Sequence, residues 1–346
     1  MFDTPLSRRA FLGLGLALPL ASCGYEEPHV DDGIVRVTLC TNGSGVFDQG
    51  FNELMWKGLK MLEEEDGWKV NYLEAAQIRD AYTNLDKAVD DGAQLVWLGG
   101  ANPDPIQTVA DQNVDVKFAM LDGVNETGLD NVVAVMFKSE EGSFIVGYIA
   151  ARMSKTGRVG FIGGIANDTL LSFMYGYMAG VDYANAERAT QVTCTTQWAE
   201  SFSDASKGKS IAKKMIADDI DVIFVAAGGT GVGVIEGCDE AGIYVIGVDM
   251  DQSYLAPNTV ITSCLKRADI VVAETSRQFI ADEIEGGQTI YVGIAEGAVG
   301  IPEHHELIPN DIYNDTMALY ALFEAGEMKV PVNKKEYEAY TPEIVI

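Results

Sequence analysis

A chain of 346 residues is long for one ordinary domain and points to two. Its 47% apolar content is that of a globular protein with true cores. With 52 acidic against 24 basic residues and a formal net charge of −28, it lacks the basic surface that nucleic acid or an anionic membrane face requires.

The N-terminus reads as an address rather than as part of the fold. Arg8 and Arg9 precede an apolar run from Ala10 to Ala21, shorter than the ~20 residues of a membrane-spanning helix. Ser7-Arg8-Arg9-Ala10-Phe11-Leu12 resembles the twin-arginine export signal, and Leu20-Ala21-Ser22-Cys23 resembles a bacterial lipobox. Residues 1–22 are therefore expected to be a signal peptide. Cys23 is expected to carry the lipid, and 23–33 to tether an exported body to the outer face of the cell membrane.

From residue 34, short β-branched runs alternate with longer amphipathic stretches. Strands are predicted over 35–40, 68–74, 93–98, 116–122 and 131–137, then over 158–162, 191–198, 221–226, 244–249 and 259–265. Helices are predicted near 51–65, 80–91, 104–112, 140–153, 170–185, 205–218, 231–241 and 268–285. This alternation specifies parallel sheets flanked by helices. The first four strand starts recur 123–128 residues later. Landmarks recur with them: Leu98-Gly99-Gly100 answers Ala227-Gly228-Gly229, and Asp122 answers Asp249. Two similar α/β lobes are expected, one from 34–138 plus 264–288 and the other from 139–263 plus 289–346. Three crossover strands would join them, the third near Thr289 to Val292.

In open α/β sheets ligands bind beyond the carboxyl ends of the strands, so two facing lobes form a closing cleft. Asp122 and Asp249 each end a fourth strand and would point into it. A carboxylate accepts both hydroxyls of a vicinal diol, although an Asp after a strand can also cap a helix. Gly228 to Gly231 lacks the Gly-Lys-Ser/Thr ending of a P-loop. The free N–H groups of the helix behind it suit a sugar hydroxyl instead. Cys40, Cys194, Cys238 and Cys264 show no C-x-x-C spacing, and although export would permit disulfides, Cys40, Cys194 and Cys264 sit in apolar strand-like runs that favour buried free thiols. With His29, His304 and His305 outside any cluster, no metal, cofactor or catalytic residue is expected.

Several stretches together resemble the basic membrane protein family, lipoproteins that serve as purine-nucleoside-binding components of ABC transporters. They are Gly50-Phe51-Asn52, the run from Ala226 to Gly233 around Gly228-Gly229-Thr230-Gly231, Gly247-Val248-Asp249-Met250-Asp251-Gln252, and Thr262-Ser263-Cys264-Leu265-Lys266. The resemblance implies a two-lobed type I periplasmic-binding-protein fold, each lobe a parallel sheet flanked by helices. It implies a nucleoside ligand and, as partners, a permease and an ATPase. It places Phe51 and Asn52 at the ligand, with Phe51 stacking on the base, and has Lys266 donate to the purine O6 or a ring nitrogen. It also calls for a second aromatic from lobe 2, for which Trp198 is the first candidate and Phe202 the next. One departure stands out: nine residues before Phe51 the family usually has Asp, and this chain has Asn42. An amide both donates and accepts where a carboxylate only accepts, which leaves the identity of the base open.

Other readings stay open. The same cleft could hold a sugar or another small solute, or present its ligand to a signalling partner. An enzyme acting through Asp122 and Asp249 would need their pKa values driven apart, which nothing in the sequence indicates.

Overall fold

The computed structural model describes residues 32–41, 45–75, 79–100 and 102–346. The expected signal peptide, Cys23 and Asn42 lie outside these residues.

Lobe 1 is built on β1 (Arg36–Cys40), β2 (Lys69–Leu73), β3 (Leu95–Gly99), β4 (Lys117–Leu121) and β5 (Val132–Phe137), with α1 (Phe51–Asp66), α2 (Asp80–Asp90) and α3 (Asp104–Gln112) between strands. Lobe 2 repeats the plan. Helix α4 (Ser139–Met153) leads into β6 (Arg158–Gly163), α5 (Asp168–Arg188), β7 (Thr193–Trp198), α6 (Ala205–Ala217), β8 (Val222–Ala226), α7 (Gly229–Ala241), β9 (Tyr244–Asp249) and β10 (Val260–Lys266). The chain then returns through α8 (Ala268–Ile280) and β11 (Gln288–Val292), and ends with β12 (Val299–Gly300), α9 (Asn310–Glu324) and α10 (Lys334–Ala339).

The first sheet runs β11-β5-β4-β3-β1-β2 and the second β12-β10-β9-β8-β6-β7. Five strands of each sheet follow the doubly wound order 2-1-3-4-5, so the repeat read from strand spacing is a repeat of topology. Pairing is parallel throughout, apart from β12 running antiparallel to β10.

Both faces of the central strands are covered, as in parallel sheets generally. Along β3, Leu95 and Trp97 face one core while Val96 and Leu98 face another. Along β8, Val222 and Phe224 alternate in the same way with Ile223 and Val225. Each such side chain contributes about 1.5–3 kcal/mol by leaving water. Helix α4 is buried around almost its whole circumference, enclosed by α5, α9 and strands β8, β10 and β12. A Cβ on Gly147 would stand 2.2 Å from the Tyr177 carbonyl oxygen, and one on Gly180 2.1 Å from that of Phe144. Only glycine allows the two backbones to approach so closely.

Two expectations about the lobe boundaries are corrected. Cys264 to Lys266 belong to β10 and hence to the second sheet, so that crossing comes after Lys266. Residues 288–292 form β11, which pairs along its whole length with β5 in the first sheet. The third crossing therefore follows Val292. Strand pairing is a long-range choice, and the local pattern of Thr289 to Val292 is equally good for either sheet. Cys40, Cys238 and Cys264 are buried free thiols, and burial pushes each up to about 12. Cys194 is free but only partly buried.

Candidate functional site

The strand ends of the two sheets meet at a cavity between the lobes. From lobe 1 it is lined by Asp48, Phe51, Asn52, Gly99, Gly100 and Asp122. From lobe 2 come Asn167, Thr169, Leu170, Phe173, Phe202, Gly228, Asp249 and Lys266, among others. Gly229 opens α7 directly behind Gly228.

The duplicated aspartates share an uncommon backbone. Asp122 has φ 58° and Asp249 has φ 67°, the left-handed region that few non-glycine residues enter and that Asp tolerates better than most. Neither caps a helix in the structure, so the capping alternative does not hold for them. In both lobes the kink turns a carboxyl from the strand end into the cavity, and both side chains are buried.

Lys266, at the end of β10, is 2% exposed. Its amine pairs with Asp122 Oδ2 and lies 4.8, 4.7 and 5.5 Å from the ring centres of Phe51, Phe137 and Phe173. Ring faces attract a cation most strongly where water is excluded, which explains how this apolar run ends in a buried lysine. Asp122 Oδ1 has no hydrogen-bond partner among the described residues. A buried carboxylate oxygen in that state is an acceptor aimed at the cavity.

Asp48 holds the entrance of α1. Its carboxylate accepts from the backbone N–H groups of Gly50, Asn52 and Glu53 at 3.1–3.2 Å and from Asn52 Nδ2 at 2.9 Å. Those are donors a helix start leaves unmet. Asn52 is thereby fixed in orientation beside Phe51. Burial raises the pKa of Asp48, and these hydrogen bonds oppose the rise. On the other side, Asn167 caps α5, accepting from Leu170 N at 2.9 Å. The start of α7 has no side-chain cap. Gly228 there adopts φ 52°, ψ −138°, a conformation effectively reserved for glycine, and lies under Phe202.

The rim of the cleft is tied across the lobes. Gln252 Nε2 donates to Gln49 O at 3.2 Å, and Tyr254 OH to Gln49 Oε1 at 3.3 Å. Gln252 also accepts from Val248 N at 3.0 Å, so one side chain braces the strand that presents Asp249 and reaches the opposite lobe.

The structure thus brings Phe51, Asn52, Asp122, Gly228, Asp249 and Lys266 to one cavity. Trp198 is not among its lining residues, which corrects the first choice for the second aromatic. The Trp198 ring packs edge-on against Phe161, with centres 5.9 Å apart, and covers Gly163, whose missing side chain makes room for it. Phe202, four residues later, reaches the cavity instead. Asp48, Asn167, Thr169 and Phe173 were missed. Asp48 was findable as an Asp just before a predicted helix, whereas Phe173 looked like any apolar position of a long helix.

The Bmp family, described as "ABC transporter substrate-binding protein PnrA-like", matches residues 34–334. Basic membrane protein A of Borreliella afzelii is 39% identical over 91% of this chain and 97% of its own length. Basic membrane protein A of Borreliella burgdorferi is 37% identical over 90% and 92%. Among solved structures, an ABC transporter solute-binding protein from Aeropyrum pernix K1 superposes with a TM-score of 0.80 at 26% identity, covering 88% of this chain and 96% of that one. No helix among the described residues is long and apolar enough to cross a membrane. By sequence, the chain belongs to the Bmp family of ABC transporter substrate-binding proteins.

Proposed function

We propose that the cleft binds a purine nucleoside, and that the protein, lipid-anchored through Cys23 on the extracytoplasmic face after twin-arginine export, delivers it to an ABC permease and ATPase. The observation that carries this reading is the make-up of the cavity. Phe51, Phe173 and Phe202 supply ring faces beside the carboxyls of Asp122 and Asp249, the amine of Lys266 and the backbone of Gly228. A flat base joined to a polyol needs both kinds of surface. Stacking on an aromatic side chain is worth ~1–3 kcal/mol per base, and a carboxyl oxygen serves a ribose hydroxyl. An ammonium has three N–H donors, so Lys266 can hold Asp122 and still donate to a purine carbonyl or ring nitrogen. A bare pentose would leave the three phenylalanines unused.

Thermal-shift screening tests the reading with nucleosides, free bases and pentoses. At a hundredfold excess over Kd a nucleoside should stabilise by about 2.7 kcal/mol. A pentose shifting Tm as much as adenosine or guanosine would overturn it.

A further inference from the structure

The three carboxylates of the cavity are not equivalent. Asp48 is held by four N–H donors at the start of α1, and Asp122 by the amine of Lys266. Asp249 has neither: among the described residues no N–H or O–H donates to its carboxyl, and it is 8% exposed. Its Oδ2 lies 3.1 Å from where a Cβ on Gly50 would sit, so this lobe 2 carboxyl is pressed onto the lip of lobe 1. The charged groups facing it are Lys266 from β10, Asp48 from the loop before α1 and Asp122 from the end of β4. The Cys264 thiol of β10 is the remaining titratable neighbour. One cation, already paired with Asp122, thus faces Asp249 together with two further carboxylates, both carried by the opposite lobe.

We propose that closing the cleft takes up one proton at Asp249, so that in the ligand complex this side chain is a hydrogen-bond donor and the ligand offers it an acceptor oxygen. The proton comes from solvent and sits on the carboxyl, and it leaves again when the lobes part and water returns. Burial pushes Asp249 up to about 7, with Lys266 opposing and Asp48 and Asp122 adding to the rise. In an open, hydrated cleft an aspartate titrates at ~3.9. Between those two values the closed form holds more protons than the open one, so affinity falls as pH rises across that window and levels off above it. An anionic solute would bring further negative charge to a group that already sheds it, so the site selects neutral ligands. The proposal rests on the nucleoside reading only for the source of the acceptor oxygen, a sugar hydroxyl.

The test is calorimetric titration of the full-length protein with adenosine and with guanosine from pH 5 to 8.5, in buffers of different ionisation enthalpy. Proton uptake should approach one per binding event near pH 5.5 and vanish by pH 8. Kd should weaken about tenfold per pH unit from 5 to 6.5, then level off. In Asp249→Asn, whose amide donates at every pH, Kd should no longer follow pH and uptake should be absent. Proton uptake by any other group would survive that substitution. A wild-type Kd flat across this range, or uptake that persists in Asp249→Asn, overturns the proposal while leaving nucleoside binding intact. Should neither nucleoside bind at any pH, the nucleoside reading falls and small-angle scattering of the ligand-free protein decides. A radius of gyration larger at pH 8 than at pH 5 in the wild type alone supports proton-linked closure, and one independent of pH overturns it.

Discussion

Replacing Lys266 with Met is the most informative single perturbation of the cleft. Methionine keeps the length of the side chain and packs well among Phe51, Phe137 and Phe173, so the change isolates the charge. Asp122 would then be a buried carboxylate with no cation. It can escape by taking a proton, which bounds the loss. Neutralising a carboxyl of ordinary pKa ~3.9 costs about 4 kcal/mol at pH 7 and about 1.5 kcal/mol at pH 5. The pH 7 figure agrees with the ~3–5 kcal/mol seen when one partner of a buried ion pair is removed. Unfolding entropy of ~2.1 cal/mol/K per residue, summed over the Ile34–Ile346 body, gives roughly 0.65 kcal/mol per degree. Lys266→Met should therefore lower Tm by about 6 °C at pH 7 and about 2 °C at pH 5, followed by circular dichroism. Adding Asp122→Asn should recover most of the loss at pH 7. An equal loss at both pH values, or no recovery in the double variant, would refute the view that one buried ion pair organises the cleft.

Phe202→Ala should abolish nucleoside-induced stabilisation, whereas Trp198→Ala should lower the unliganded Tm and leave the ligand response; thermal shift separates the two. Gly180→Leu drives a side chain into the Phe144 carbonyl, and denaturant titration should show it more than ~3 kcal/mol less stable or unable to fold. Cys23→Ala should move the protein from the membrane fraction to the soluble one in a cell fractionation.

Most of the architecture was legible because it is written in local pattern. β-Branched runs at regular spacing gave ten strands, and the matching Gly-Gly and Asp landmarks gave the two halves. What the sequence withheld is what depends on distant neighbours. Residues 288–292 read as a strand but carry no mark of which sheet they join, since β5 is far away in the chain. Trp198 sits on the half-exposed edge strand β7, and whether its ring folds over Gly163 or into the cleft depends on a glycine 35 positions earlier. The left-handed backbone of Asp122 and Asp249 is invisible in the residue type, although their duplication pointed to the right positions. Helix α9 was within reach: Ile312, Thr316, Leu319 and Phe323 form one buried stripe after Pro309.

The placement of β11 and α8 bears on how the chain matures. Lobe 1 cannot be completed from its own N-terminal stretch. Trp97 donates to Ser276 Oγ at 2.8 Å, Gly58 of α1 lies against the Asp269 carbonyl of α8, and the outer edge of β5 waits for β11. During synthesis the first half thus emerges with an open strand edge and an uncovered apolar layer, and stays so until the stretch from α4 to β10 of lobe 2 has been translated. Unpaired edges of that kind invite aggregation, so a nascent chain halted near Phe137 is where a chaperone would be needed most.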